Sequence, residues 1–211
     1  MTGTELKRLT KRRVETRRRL HQAALEEFAE RGFGVVTVEQ VCAAAGFTRG
    51  AFYSNFDSLD ELFLSMWEDR SRALLADLDE VLAAVDPGEV RSVRQVVELV
   101  DRAVGLDDAW FRVTAEFSAH ALRDPALRRV MAAREEAIVA MLASVLQSFL
   151  HGAGRRAEDP KVLALALVAV HDGTSLQCLT EPDDPRPRLR RLDLFERVVF
   201  AYTVESTGES A

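Results

Sequence analysis

The sequence has little of what builds disulfide-rich, metal-binding or membrane proteins. Its two cysteines, Cys42 and Cys178, stand far apart in apolar stretches and form no Cys-x-x-Cys pair. This spacing predicts buried free thiols in a reducing compartment, and neither a disulfide framework nor a metal site. No uninterrupted apolar run approaches the ~20 residues that span a bilayer, and the basic start lacks the apolar core of a signal peptide. We therefore expect a cytoplasmic protein with no membrane partner.

Motifs of common catalytic sites are also missing. The sequence contains no His-Glu-x-x-His, nucleophile elbow, phosphate-binding loop or dinucleotide fingerprint. An enzyme using Glu116, Glu135 and His171 is an alternative, as is half a metal site formed by His120 and Asp124. Two such residues four apart on a helix occur often by chance, so we expect no enzyme, no metal and no cofactor.

Strict alternation of apolar and polar residues, the pattern of a half-buried strand, is scarce, and sheet content should be close to nil. Apolar residues recur instead at helical spacing, and segments with glycine or proline divide the chain into about nine helices. One such break, at residues 86–88, should end the fourth helix. The predicted fold class is all-α.

Charge is unevenly distributed along the chain. The net charge is −6, yet residues 1–56 carry ten Lys/Arg against six Asp/Glu, a net of +4, which leaves −10 for the remainder. The first 19 residues alone hold eight Lys/Arg against two Asp/Glu. Such asymmetry indicates a basic nucleic-acid-binding part joined to an acidic body, although a solvated tail would look similar.

Two short helices joined by a glycine turn follow the basic segment. Thr37 with Gln40 three residues on forms a capping-box pattern at the start of the second helix. Gly46 then breaks that helix, and Thr48 is placed to cap a third, over residues 49–55. Helix, tight turn and helix together predict a helix-turn-helix.

The third helix mixes small and polar residues with Tyr53, which suits close approach to a groove of DNA. Phe52 and Phe56 would anchor it to the first two helices. A short packing helix of an ordinary bundle is the alternative, but Gly50 would cost such a helix about 1 kcal/mol relative to alanine.

Residues 48–56, with the sequence TRGAFYSNF, and residues 59–63, with the sequence LDELF, resemble the signature of the TetR family of transcription regulators. The resemblance covers about residues 18–63. It implies an N-terminal three-helix helix-turn-helix head, at residues 1–57, and a C-terminal helical ligand-binding and dimerisation domain, at residues 58–206. It also implies a dimeric regulator, acting as a repressor on double-stranded operator DNA, that a small effector releases. A two-fold dimer predicts a palindromic operator, and a mostly apolar pocket would favour a hydrophobic or aromatic effector.

The resemblance and the basic segment together give the predicted DNA contacts. They are Arg12, Arg13, Arg17, Arg18, Thr37, Thr48, Arg49, Gly50, Ala51, Tyr53, Ser54 and Asn55. Many family members have lysine where this chain has Leu59, so we expect the phosphate contact there to be weak or missing. The basic residues 7–19 would compensate by following the DNA backbone or entering the minor groove.

The remainder of the chain resembles the family in length and helical layout. Candidate ligand-binding residues are Trp67, Trp110, Thr114, Phe117, Met131, Met141, His171, Thr174 and Gln177, although each apolar member could equally be ordinary core. His171 could equally bond a backbone carbonyl or a second subunit. The last two helices would pair with those of a second copy through Leu165, Val168, Leu192, Phe195, Val199 and Tyr202. A helical interaction module that has lost DNA binding is a further alternative.

Overall fold

The computed structural model describes residues 3–85, 92–152 and 154–206, and their secondary structure is almost wholly helical. The helices are α1 (Gly3–Arg31), α2 (Val38–Ala45), α3 (Arg49–Tyr53), α4 (Leu59–Ala83), α5 (Val93–Val104), α6 (Asp108–Ala121), α7 (Pro125–Gly152), α8 (Pro160–Thr180) and α9 (Pro185–Tyr202). Nine helices in this part of the chain confirm the predicted fold class.

The structure differs from the prediction at several element ends. The strands β1 (Arg155–Ala157) and β2 (Thr203–Glu205) form a two-stranded antiparallel sheet, and β2 follows directly after the end of α9 at Tyr202. The third helix ends at Tyr53, two residues early. α4 ends at Ala83, and the predicted break at residues 86–88 lies outside the described residues.

The basic N-terminal segment is helical. α1 runs without interruption from Gly3 to Arg31, so the segment at residues 7–19 has a helical backbone. The predicted contact of this segment with the DNA backbone or the minor groove would therefore be made by a helix.

The described chain forms two compact units whose limits differ from the domain boundary predicted at residue 57. The first unit, called the head here, contains residues up to Arg70 together with Asp107–Arg128, and so includes α6. The second unit, the body, contains Ser71–Leu106 and Arg129–Ala211. In the head, α1 packs on α2 and α6; in the body, α9 packs on α8 and α5.

The core of the head is rich in aromatic rings. Phe33, Phe63 and Phe117 are buried, and the ring centroids of Phe63 and Phe117 are stacked 4.0 Å apart. Phe33 meets Phe117 edge-on at 5.1 Å. Such stacked and edge-on pairs stabilise beyond the area they bury, by about 0.5–1.5 kcal/mol each.

One helix of the body is long and apolar enough to cross a membrane, judged by length and composition alone. In α8, only 28% of the most apolar window is buried within the chain. Uninterrupted apolar runs, the only pattern considered in the sequence, did not single out α8. Isolated polar residues interrupt this helix, but they lower its mean hydropathy only slightly. α8 therefore presents apolar surface that its own chain does not cover.

Candidate nucleic-acid interface

Local capping fixes the start and the end of α2. The Thr37 side chain accepts a hydrogen bond from the Gln40 amide, while Gln40 Oε1 accepts one from the Thr37 amide at 2.8 Å, which completes a capping box. Gly46 ends the helix with φ of 69°, in the left-handed region that favours glycine. An added Cβ there would lie 3.2 Å from Arg19 Nη2, so the turn is also sterically tight.

Thr48 and two phenylalanines set the position of α3. The Thr48 hydroxyl accepts a hydrogen bond from the Ala51 amide at 3.2 Å, which caps the helix start. Phe52 and Phe56 are almost completely buried and anchor the helix from below. A Cβ at Gly50 would have only Thr48 Oγ1 within 4 Å, at 3.8 Å, so internal packing does not require glycine at this position.

Most of the predicted recognition residues share an open surface of the head. Thr37, Thr48, Arg49, Gly50, Tyr53 and Ser54 are exposed, whereas Ala51 and Asn55 are half-buried. Tyr53 is 48% exposed despite its size. An exposed aromatic ring among hydroxyls and a guanidinium is a surface that can meet phosphates and base edges.

Asn55 has a structural role that the sequence did not predict. Its Nδ2 donates to the Ala51 carbonyl at 2.8 Å, which satisfies an orphan carbonyl at the end of α3. Its Oδ1 is buried and has no hydrogen-bond partner among the described residues. The main role of the Asn55 side-chain amide is therefore to stabilise the end of α3.

The basic residues of α1 divide into two groups. Arg12 and Arg13 are exposed, and Arg18 is exposed but forms an ion pair with Glu15. Arg17 points inward: its Nη1 donates to the Asn55 carbonyl at 3.1 Å, and its guanidinium lies 4.4 Å from the centre of the Phe56 ring. The guanidinium of Arg17 is thus engaged within the head, whereas a phosphate contact would need a free guanidinium.

Arg19 is a structural residue that sequence reasoning missed. Its Nη2 donates to the Ala45 carbonyl at 2.7 Å, and its guanidinium lies 4.8 Å from the centre of the Phe47 ring. Arg19 therefore fastens α1 to the turn between α2 and α3. Sequence reasoning could not find this role, because a run of basic residues does not indicate which arginine side chain turns inward.

The start of α4 is acidic, as the sequence indicated. Ser58 Oγ accepts a hydrogen bond from the Glu61 amide at 3.1 Å, and Glu61 Oε2 accepts one from the Asp57 amide. The Ser58 hydroxyl and the Glu61 carboxylate thus accept hydrogen bonds from backbone amides at the start of α4, where a phosphate could otherwise bind. With Leu59 in place of the usual lysine, a weak phosphate contact here stays our prediction.

α6 fastens the loop after α1. Arg112 Nη1 donates to the Ala29 carbonyl at 2.8 Å, and Glu116 Oε2 accepts a hydrogen bond from the Phe33 amide at 2.6 Å. Gly32, with φ of 92°, makes room for the carboxylate, since an added Cβ would lie 3.1 Å from Glu116 Oε2. The Glu116 carboxylate thus has a structural role in the head, because it binds the Phe33 amide and does not face a substrate.

The predicted ligand-binding residues of the head are mostly engaged within it. Phe117 is fully buried, so it belongs to the core and is withdrawn as a pocket residue. The Trp110 ring stacks on Phe63 at 5.9 Å and lies 4.7 Å from the Arg70 guanidinium. Trp67 lies beside the same Phe63, 6.2 Å away, and the Thr114 hydroxyl bonds to the Trp110 carbonyl.

In the body, a buried ion pair occupies the polar region predicted for a ligand. Arg191 is 0% exposed and Asp101 is 4% exposed, with Arg191 Nε 2.7 Å from Asp101 Oδ1. Arg191 Nη1 also donates to Thr174 Oγ1 at 2.7 Å, and Thr174 donates to the Val170 carbonyl. The Thr174 hydroxyl therefore both donates and accepts within the body, and this buried residue has a structural role instead of a ligand-facing position.

His171 belongs to the same cluster. Its Nδ1 lies 2.8 Å from Arg191 Nη2, and because arginine is only a donor, Nδ1 must be the unprotonated acceptor. Burial and the nearby Arg191 charge, partly offset by Asp101, lower the pKa of His171 to about 4. The neutral imidazole is thus a fixed part of the cluster. Of the other body candidates, Met131 is half-buried, and Met141 and Gln177 are exposed.

The predicted dimer residues divide by exposure. Leu165 on α8 is 58% exposed, and Tyr202 at the end of α9 is also exposed. Leu192 is only 9% exposed because it packs inside the body, so it is withdrawn as an interface residue. Val168, Phe195 and Val199 are half-buried, and Phe195 lies under the Arg191 guanidinium.

The side chains of the alternative metal half-site point elsewhere. Asp124 Oδ1 accepts hydrogen bonds from the Ala126 and Leu127 amides and so caps α7, while His120 Nε2 lies 3.2 Å from Asp60. His, Cys, Asp and Glu side chains do not gather in groups of three or more suited to a metal anywhere in the described part of the chain.

Comparison with known families identifies the class of protein. Residues 20–66 match the family described as bacterial regulatory proteins, tetR family, and residues 89–199 match the one described as BetI-type transcriptional repressor, C-terminal. The second match alone covers more than half of the chain. The chain belongs to the TetR family: it is a DNA-binding transcriptional regulator with a ligand-binding C-terminal domain, and not an enzyme.

Individual relatives agree with this assignment. The HTH-type transcriptional regulator AcrR of Shigella flexneri is 34% identical over 79 residues, which is 37% of this chain and 36% of that protein. The chain thus matches about a third of the length of such curated relatives.

Solved structures share the fold over nearly the whole chain. A TetR-family transcriptional regulator from Mesorhizobium loti superposes with a TM-score of 0.68 at 18% identity, covering 90% of this chain and 96% of that one. A transcriptional regulator from Saccharomonospora viridis in complex with choline gives a TM-score of 0.64 at 20% identity, covering 91% and 100%.

Proposed function

We propose that this chain is a homodimeric repressor that binds a palindromic operator and leaves it when a small effector binds the C-terminal domain. The observation that carries the proposal is the exposed polar face of α3, held in position by Thr48, Phe52 and the Gly46 turn. In a helix-turn-helix, the N-terminal residues of the second helix contact base edges in the major groove.

We assign the DNA contacts to two groups. Thr37, Thr48, Tyr53 and Ser54 are exposed near helix starts or on α3, and would bind phosphates; Arg49, Gly50 and Ala51 would face the bases. Exposed Arg12, Arg13 and Arg18 would supply attraction to the DNA backbone, which makes binding salt-dependent. Arg17 and Asn55 would support this surface from beneath.

A second copy of the chain is the partner that we propose for α8 and α9. Leu165 and Leu176 on α8 and Leu194 and Phe200 on α9 are each more than 40% exposed. Apolar side chains at this density on two packed helices favour a four-helix bundle with a two-fold mate. This arrangement also accounts for the uncovered apolar surface of α8 in a cytoplasmic protein, without a membrane.

A two-fold dimer predicts the form of the operator. Each head would contact one half-site, and the two half-sites would be centred about one DNA turn apart, or a multiple of it. The effector that releases the dimer would be small and hydrophobic or aromatic, because most ligand pockets have apolar linings with few fixed polar groups. Met131, Met141 and Gln177 in the body and Trp67 and Trp110 in the head stay candidates.

Substitution of the recognition face tests DNA binding. Arg49→Ala should weaken binding to the selected operator about five-fold or more, since one good base contact is worth about 1–3 kcal/mol. Tyr53→Ala should also weaken binding, because it removes a phosphate contact. Fluorescence anisotropy at fixed salt measures this affinity. Leu122→Glu, on the exposed end of α6, is the control for correct folding and should bind normally. Unchanged operator affinity in both alanine variants would refute the assignment of α3.

Placement of a charge on α8 tests dimerisation. Leu165→Glu should shift the native dimer to monomer in analytical ultracentrifugation, because two carboxylates would be buried near the two-fold axis without partners. Leu122→Glu adds the same charge at another exposed leucine and should stay dimeric. A dimer that survives Leu165→Glu as well would place the interface elsewhere.

A further inference from the structure

The recognition segment, residues 37–55, carries a single cation and a single anion, Arg49 and Glu39. Glu39 lies in the first turn of α2, and Arg49 is the first residue of α3. Arg49 Nη1 is 2.8 Å from Glu39 Oε1, so the two helices are joined across their exposed faces. The side chains are 62% and 55% exposed, which places the ion pair on the surface that would meet DNA.

The guanidinium is restrained on a second side. It lies 5.8 Å from the centre of the Tyr53 ring, one turn further along α3. The nearby carboxylate and this ring together define where the guanidinium sits before DNA arrives. Arginine otherwise has about 2 kcal/mol of rotamer entropy and could reach many phosphates.

We propose that Glu39 is a specificity-determining residue, which holds Arg49 for a base edge and keeps it from binding phosphates in any sequence. The proposal rests on the proposed DNA-binding function and adds a residue to it. Because the pair is neutral, the recognition segment carries no net charge that would attract the DNA backbone. Non-specific attraction then comes from α1, and the recognition segment is left to discriminate between sequences.

Operator DNA and random DNA should therefore respond differently when Glu39 is neutralised. In Glu39→Gln, Arg49 becomes free to contact phosphates, and affinity for random DNA should rise about two- to five-fold, the range expected for an exposed ion pair. Operator affinity should rise less, because the correct base already competes with the carboxylate for Arg49. The ratio of the two affinities, which is the specificity, should fall.

The experiment compares four full-length variants on two DNA probes. The probes are a 30-base-pair duplex of random sequence and the duplex that the native protein selects from the same pool. Glu30→Gln removes an equal charge from the exposed surface of α1 and controls for general electrostatics. Arg49→Ala and the Glu39→Gln/Arg49→Ala double variant complete a cycle that isolates the contribution of the pair.

The expected result is a loss of specificity in Glu39→Gln that exceeds that in Glu30→Gln and disappears when Arg49 is already alanine. Equal gains on both probes, or a gain that persists in the Arg49→Ala background, would mean general electrostatics and would overturn the proposal. A fall in operator affinity on Glu39→Gln that persists in the Arg49→Ala background would also overturn it, because Glu39 would then contact a base itself. If the native protein selects no sequence from the pool, the proposed DNA-binding function is wrong. That outcome is distinguishable from a failure of the Glu39 proposal, which requires a selected sequence.

Discussion

Replacement of Asp101 by alanine should be among the most destabilising single changes in the body. Arg191 is fully buried, and its closest charge partner is the Asp101 carboxylate, 2.7 Å from Nε. Removal of one member of a buried ion pair leaves an uncompensated charge and costs about 3–5 kcal/mol. For a chain of this length, about 2–4 °C is lost per kcal/mol, so the melting temperature should fall by roughly 6–20 °C.

The reciprocal change should cost less. In Arg191→Met, the Asp101 carboxylate keeps Arg188, whose Nη2 lies 3.2 Å away and whose side chain is half exposed. The methionine also fills much of the volume of the arginine stem. Asp101→Ala should therefore be more destabilising than Arg191→Met, although both break the same contact.

Thermal unfolding followed by circular dichroism measures these differences, with every variant at one protein concentration because association would shift the midpoint. Asp193→Ala is the matched control: it breaks the exposed ion pair between Asp193 and Arg94 in the same unit, and should cost at most about 1 kcal/mol. A loss for Asp101→Ala no larger than that for Asp193→Ala would refute the reasoning about the buried pair.

Three further changes test other parts of the structure. Glu116→Ala should speed hydrogen exchange at the Phe33 amide, whose 2.6 Å partner it removes, at a cost of about 1.5–3 kcal/mol; unchanged exchange would contradict the contact. Gly46→Ala should cost about 1–2 kcal/mol in thermal unfolding, because φ is 69° there; a neutral effect would mean the turn adjusts freely. The pKa of His171 is lowered to about 4 from 6.5, so its stabilisation is complete above pH 6.5 and is lost as the pH falls to about 4. The free energy of unfolding should therefore fall by at most about 3 kcal/mol over this range. In His171→Gln this pH dependence should be weaker, and a profile identical to that of the native protein would contradict the prediction.

The helix-turn-helix could be predicted because its signals are local. Thr37 and Gln40 are three residues apart, Gly46 adopts the left-handed conformation that its type allows, and Thr48 caps the helix that follows. Each of these choices depends on neighbours within one turn of helix. No long-range packing needs to be known before they can be read from the sequence.

Contacts between distant residues could not be predicted in this way. Glu116 and Phe33 are 83 positions apart, and Arg191 and Asp101 are 90 apart. Arg191 lies in an arginine-rich stretch, residues 186–191, which looks solvated in the sequence, so nothing marked it as buried. The inclusion of α6 in the head was missed for the same reason.

The dimer prediction shows a different limit. The spacing of Leu192, Phe195 and Val199 correctly identifies an apolar stripe on α9. Periodicity does not tell whether such a stripe faces its own chain or a second copy, and here Leu192 faces inward. Leu194 and Phe200 are exposed at other positions around the helix, outside this stripe, and were not singled out.

Selection of bound fragments from the genome by the purified native protein tests the central claim most directly. The account predicts a single enriched palindrome, with half-sites about one DNA turn apart or a multiple of it, bound far more tightly than random DNA and with affinity that falls steeply as salt rises. Recovery of fragments with no common sequence, or equal affinity for random DNA at every salt concentration, would contradict a sequence-specific dimeric regulator.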